Sequence, residues 1–131
     1  MGMTIEFAGG MVVESAYGGH RVRTDQPRPT GGETAPSPFD LFLASLGTCS
    51  GFYVLRFCQQ RGIDTRGVTL TLETSRGEGD KLERITIGIA LPPDFPAKYR
   101  KAVLRAADQC AVKKALLDPP ELETLLLGQA P

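Results

Sequence analysis

The sequence predicts an α+β fold: antiparallel β-structure packed with one long, apolar central helix. Three observations carry this. Short β-friendly runs broken by glycine turns open the chain. A strongly capped apolar segment follows, beginning near Ser37. Two alternating runs then flank a polar turn and lead into helical spacing. At 131 residues, the chain suits a single domain, 1–131, with one core.

Thr4-Ile5-Glu6-Phe7 reads as a first strand and stops at Gly9-Gly10. Met11 to Ala16 reads as a second, Tyr17-Gly18-Gly19 as a turn, and His20 to Thr24 as a third. Asp25 to Ala35, rich in Pro, Gly and Thr, is the longest loop and a candidate site wall. Ser37-Pro38-Phe39-Asp40 then starts a helix: Ser37 caps, Pro38 suits the first helical position, and Asp40 completes a capping box. The helix should run to about Gln60, with Gly62 stopping it. It is apolar nearly all round, so it should be buried on several sides. In a chain this short, the second covering layer would come from another subunit. Val68 to Thr74 and Leu82 to Leu91 read as strands joined by a turn at Gly77 to Asp80. Pro92-Pro93-Asp94 should open a second helix whose apolar face holds Tyr99, Ala102, Val103, Ala106 and Cys110. Asp108 would cap a short helix over Cys110 to Leu117, and Glu121 to Leu127 is expected to form a last strand.

Composition excludes several functions. Fifteen basic residues balance 15 acidic ones, so the surplus that neutralises phosphates is missing and no nucleic-acid partner is expected. His20, Arg21, Arg23 and Arg28 lie close in sequence but are too few to argue for DNA. The N-terminus lacks a basic region followed by an apolar run, so it does not read as a secretory signal. Phe39 to Phe57 is interrupted by Asp40, Ser45, Thr48, Ser50 and Arg56, which reads as a core helix and not a membrane span. A cytoplasmic protein is expected. Three cysteines in such a setting do not make a disulfide framework, and without a CxxC or Cys/His cluster no metal or cofactor is expected.

The cysteines differ in placement. Cys49 shares a helix face with Phe42, Leu46 and Tyr53. Cys58, nine positions later, is about half a turn out of phase at ~100° per residue, so the two thiols point to opposite faces. Cys110, if Asp108 caps, lies in the first turn of a short helix, where a thiolate is favoured. Buried cysteine also serves as plain core filler, and spacing alone leaves that reading open for all three.

Ala35-Pro36-Ser37-Pro38-Phe39-Asp40-Leu41-Phe42-Leu43-Ala44-Ser45-Leu46-Gly47-Thr48-Cys49 resembles the first cysteine motif of OsmC/Ohr proteins. Asp108-Gln109-Cys110-Ala111-Val112-Lys113-Lys114-Ala115-Leu116 resembles the second. Glu14-Ser15-Ala16-Tyr17-Gly18-Gly19-His20 resembles the N-terminal turn of the less characterised OsmC-like branch. The resemblance implies an OsmC-like fold in an intertwined homodimer, with sites at the subunit interface. It also implies thiol-dependent reduction of organic hydroperoxides or hydrogen peroxide. Cys49 would attack as a thiolate and become a sulfenic acid, Cys110 would resolve it to a disulfide, and an external dithiol would reduce that. The partners expected are thus a second copy, a small apolar hydroperoxide or related ligand, and a dithiol.

The family activates its first cysteine with an arginine from an N-terminal loop. Arg21, Arg23 and Arg28 are the candidates, with Arg28 or Arg23 preferred. Characterised peroxidases hold that arginine with a glutamate directly after the motif's proline; here Phe39 stands there. Asp40 is next but turned by ~100°, and suits capping. Glu33 could orient an arginine instead. His20 could donate to a substrate or lower a thiol pKa, or be a turn residue. Two other functions compete: a non-catalytic OsmC-like small-molecule-binding protein that has lost the peroxidase glutamate, and a hot-dog-like thioesterase using Asp40.

Overall fold

The structure is a computed structural model of the chain and describes residues 1–128. Its contacts divide the chain into two compact units, residues 1–45 and the remainder from Leu46.

The first unit is a three-stranded antiparallel meander of β1 (Thr4–Phe7), β2 (Val13–Tyr17) and β3 (His20–Thr24). Tyr17 pairs with His20 across Gly18 and Gly19, whose φ angles of 50° and 80° supply the mirror-image turn that matches strand twist. β2 begins two residues later than expected, because Val12 N–H turns back to the Gly9 carbonyl. Charge lines one side of this sheet: Arg21 and Arg23 both reach Glu14, at 2.9 and 2.8 Å, and Arg21 also reaches Glu6 at 3.5 Å.

The loop after β3 is built around Asp25, which is buried. Its carboxylate accepts from Gln26 N–H, Thr34 N–H and the Thr34 hydroxyl, at 2.7, 3.0 and 2.6 Å. A Cβ on Gly31 would lie 2.5 Å from the Gln26 carbonyl oxygen, so the turn closes only with glycine there. The loop thus has a fixed shape despite its length.

Helix α1 (Pro38–Gln60) starts with the expected capping box: Asp40 N–H donates to Ser37 Oγ at 3.1 Å, and Ser37 N–H to Asp40 Oδ2 at 3.4 Å. It ends at Gly62 in the left-handed region, with Ile63 N–H on the Cys58 carbonyl and Gly62 N–H on that of Gln59. That is a Schellman closure. By length and composition α1 would also serve as a membrane span. The face it buries is one stripe: Leu46, Ser50, Val54, Phe57 and Cys58. Within the single chain Phe52 is 52% and Leu55 41% exposed, on the sides for which cover by another subunit is expected.

In the second unit β4 (Thr69–Arg76) and β5 (Leu82–Ala90) form an antiparallel hairpin. Leu70 faces Ile89 and Leu72 faces Ile87, which puts four apolar side chains on one face. This core closes with Val54, Phe57, Cys58, Phe95, Val103 and Ala107. Phe57 meets Tyr99 edge to face at 5.8 Å, and the Arg61 guanidinium lies 3.7 Å over the Phe57 ring.

Three expectations are corrected here. The second helix does not open at Pro92-Pro93-Asp94; a short 3-10 turn at Ala97–Tyr99 leads into α2 (Arg100–Ala107). Pro96 is the reason, since it disfavours the helical region for the residue before it. Asp108 does not cap the next helix but ends α2. Cys110 itself is the N-cap of α3 (Ala111–Leu117). Glu121 to Leu127 is not a strand: it runs without regular structure, with Leu122, Leu125, Leu126 and Leu127 exposed.

Candidate functional site

Helix α1 and the α2–α3 corner bring Cys49, Ser50 and Cys110 together. Cys110 is fully buried. Its sulfur accepts the Lys113 N–H at 3.4 Å, closing the first turn of α3. As a thiol it also reaches the Leu46 carbonyl, at 3.9 Å. Cys49 lies one turn of α1 beyond Leu46, where its side chain acts on the same sulfur, and it is only half-buried. All three cysteines are free thiols.

Opposing effects act on Cys110. Burial pushes its thiol up. The Lys113 N–H, with the nearby Cys49 and Ser50 side chains and the Val112 N–H, outweighs burial and holds the thiol below its usual value. Cys58 shows the contrary case. It is buried among Val54 and Phe57 with no such donors, and burial raises its thiol, only partly opposed by the Arg61 charge.

Ser50 is 1% exposed, and its Oγ makes no well-formed hydrogen bond to any described atom. It lies near enough to Cys110 to favour the thiolate, but has no satisfied partner in the structure as it stands. Sequence reading passed over Ser50 as a polar interruption of an apolar helix. Its spacing from Leu46 and Val54 was the available signal.

Beside this cluster lies an apolar cavity of about 280 Å³. Leu46, Ile85, Ile87, Leu104 and Leu116 supply its greasy walls, and Ser50 and Lys113 bring polar groups to it. It therefore shares three residues, Leu46, Ser50 and Lys113, with the surroundings of Cys110.

The other expected site residues lie in the first unit. Arg23 and Arg21 are committed to Glu14, and the pull of that pair lowers the Glu14 carboxyl. Arg28 sits in the Asp25 loop and is exposed. Glu33 is exposed, with a φ of 56°, and forms no ion pair among the described residues. Asp40 takes the capping role described above. His20 is exposed at the β2–β3 turn, its ring 5.4 Å from that of Tyr17. Phe39, in the glutamate position, is 42% exposed and packs on Phe42 at 5.3 Å.

A three-stranded meander, a long capped helix, a second hairpin and two short helices carrying a cysteine at their corner define an OsmC-type α+β protein. The OsmC-like protein family model matches residues 31–124, and the chain belongs to that family. The fold is shared with solved structures. A Psychrobacter arcticus protein described as osmotic-stress-induced and detoxification-response superposes with a TM-score of 0.72 at 21% identity, covering 86% of this chain and 85% of that one. An OsmC-like protein from Mycoplasma pneumoniae gives 0.70 at 13% identity, covering 90% and 87%. An organic hydroperoxide resistance protein OsmC from Legionella pneumophila gives 0.56 at 20% identity, covering 88% and 89%. No curated protein matches the chain significantly.

Proposed function

We propose that this chain is a dithiol hydroperoxide reductase in which Cys49 and Cys110 are the redox pair. The observation that carries this reading is the buried Cys110 sulfur seated 3.9 Å from the Leu46 carbonyl, one turn of α1 from Cys49. Cys49, the more open thiol, attacks the terminal peroxide oxygen; the O–O bond breaks and an alcohol leaves. The resulting Cys49 sulfenic acid is attacked by Cys110, a disulfide forms, and water leaves. An external dithiol returns both thiols. The apolar cavity favours a hydroperoxide with a hydrocarbon body over hydrogen peroxide. Family membership and the hydroperoxide resistance protein among the fold relatives support a role in peroxide resistance.

The working form in this reading is a homodimer, since Phe52 and Leu55 leave an apolar side of α1 uncovered in one chain. Arg28 or Arg23 is the preferred activating cation, as the family resemblance implies, and Glu14 holds Arg23 at 2.8 Å. A reducing compartment such as the cytoplasm keeps such thiols available.

A second reading is a non-catalytic protein that binds a small apolar molecule in the same cavity. Phe39 in the glutamate position favours it. One experiment separates the two. The reduced protein is incubated with cumene hydroperoxide, and its disulfides are mapped by mass spectrometry. A Cys49–Cys110 bond with stoichiometric peroxide loss supports the reductase. Neither bond nor loss removes it and leaves the binding protein.

A further inference from the structure

We propose that Asp108 sets the ligand specificity of the apolar cavity: by engaging the Lys113 ammonium it leaves the mouth neutral, and the cavity takes uncharged hydrocarbon-bodied ligands in preference to those bearing a carboxylate. The inference rests on the cavity as the ligand site of the proposed function and adds the residue that selects by charge.

The lining points this way. Ile85 and Ile87 of β5, Leu104 of α2 and Leu116 of α3 make the walls apolar, and the polar side chains among the lining residues are Ser50, Asp108 and Lys113. Ser50 is 1% exposed, so an entering ligand meets Asp108 and Lys113. Their side chains are 65% and 34% exposed, which puts them where the cavity meets water. Lys113 Nζ donates to Asp108 Oδ1 at 2.5 Å, a charge-assisted hydrogen bond. Lys114, next in the chain, donates to Gln109 at 3.2 Å and does not line the cavity. Among the described lining residues Lys113 is thus the one cation, and it is already engaged.

An exposed ion pair of this kind adds little to stability. Its larger consequence is for head groups. A carboxylate at the mouth gives up part of its hydration, finds the ammonium taken, and stands beside the like charge of Asp108. An uncharged hydroperoxide or alcohol meets none of these costs, and its hydrocarbon body gains the same walls. Without the Asp108 charge, the same mouth would present a single ammonium over an apolar cavity, which suits an anionic head on a hydrocarbon chain. The pair also ties the end of α2 to α3. A purely structural tie would weaken both kinds of ligand alike when broken, whereas a charge selector changes their ratio.

The test is displacement of the neutral dye Nile red from the reduced full-length chain by decanol and, separately, by decanoate at neutral pH, where the carboxylate is ionised. The wild-type chain should bind decanol the more tightly. Asp108→Asn should shift the decanol-to-decanoate affinity ratio by about tenfold toward decanoate, the size of one like charge removed from beside the head group. Asp108→Glu, which keeps the charge, should retain the wild-type ratio. Asp108→Ser gives the same reading should the asparagine variant not fold. An unchanged ratio in Asp108→Asn, or equal weakening of both ligands, overturns the role of Asp108 and leaves the cavity as the ligand site. Displacement by neither ligand removes the cavity itself from the proposed function, and the role of Asp108 with it. A shifted ratio in a chain that consumes no cumene hydroperoxide keeps Asp108 as the selecting residue and leaves the binding protein in place of the reductase.

Discussion

Two cysteines with the same burial behave oppositely. Cys58 and Cys110 are both fully buried, so exposure does not separate them. What separates them is the count of donors aimed at each sulfur. Cys58 packs among hydrocarbon, whereas Cys110 has backbone N–H groups and two side chains around it. Cys58→Ala should therefore leave peroxide-driven disulfide formation intact while lowering stability by ~1 kcal/mol, read by urea denaturation and disulfide mapping. Cys110→Ser should abolish the disulfide and leave Cys49 to be trapped as a sulfenic acid by dimedone.

Asp25 makes a second residue-level prediction. Three donors around its carboxylate, led by the Thr34 hydroxyl, lower it from 3.8 to about 2. A carboxyl depressed by folding stabilises the fold fully above its unfolded value, and that contribution fades as pH falls through the folded one. Acid should therefore loosen the 25–36 loop between about pH 4 and pH 2, seen as rising amide exchange. Asp25→Asn, which turns an amide N–H₂ toward donors, should loosen the loop at neutral pH as well.

The elements divide by how local their causes are. The start of α1 was legible because a capping box is a four-residue rule, and Ser37 and Asp40 satisfy each other without outside help. Ser37→Ala should cost about 1 kcal/mol in thermal or urea unfolding. The two hairpins were legible for the same reason, since alternation and glycine turns act over a few residues. The α2–α3 corner was not. Its break is made by the cysteine sulfur replacing an oxygen cap, and Asp108, the better capping type, ends the preceding helix instead. Leu122 to Leu127 has the composition of a strand but no paired edge in the described structure, and composition cannot supply a partner.

For the whole molecule, the open question of cover for α1 is an energetic one. Phe52 and Leu55 are half-exposed on a helix that already buries Leu46, Val54 and Phe57 on another side. Burying both against a second copy would contribute on the order of a few kcal/mol at ~25 cal/mol per Å². Phe52→Glu should shift the protein toward monomer in analytical ultracentrifugation and leave the β4–β5 core intact by circular dichroism. A wild-type chain that sediments as a monomer at working concentration would remove the dimer from the proposed function.

The chain's own pattern was enough for the α+β class, the limits of α1, both hairpins and the exclusion of Cys58 from pairing with Cys49. Periodicity, caps and glycine turns act within a few residues, and their physics is complete inside that window. It was not enough to join Cys49 to Cys110, to single out Ser50, or to show that Glu14 holds both Arg21 and Arg23. Those relations link residues far apart in the chain, and they exist only once α1 lies beside the α2–α3 corner and β2 beside β3. Burial and hydrogen-bond donors are then set by neighbours no local pattern can name, and they make one of two buried thiols a candidate thiolate and the other a core side chain.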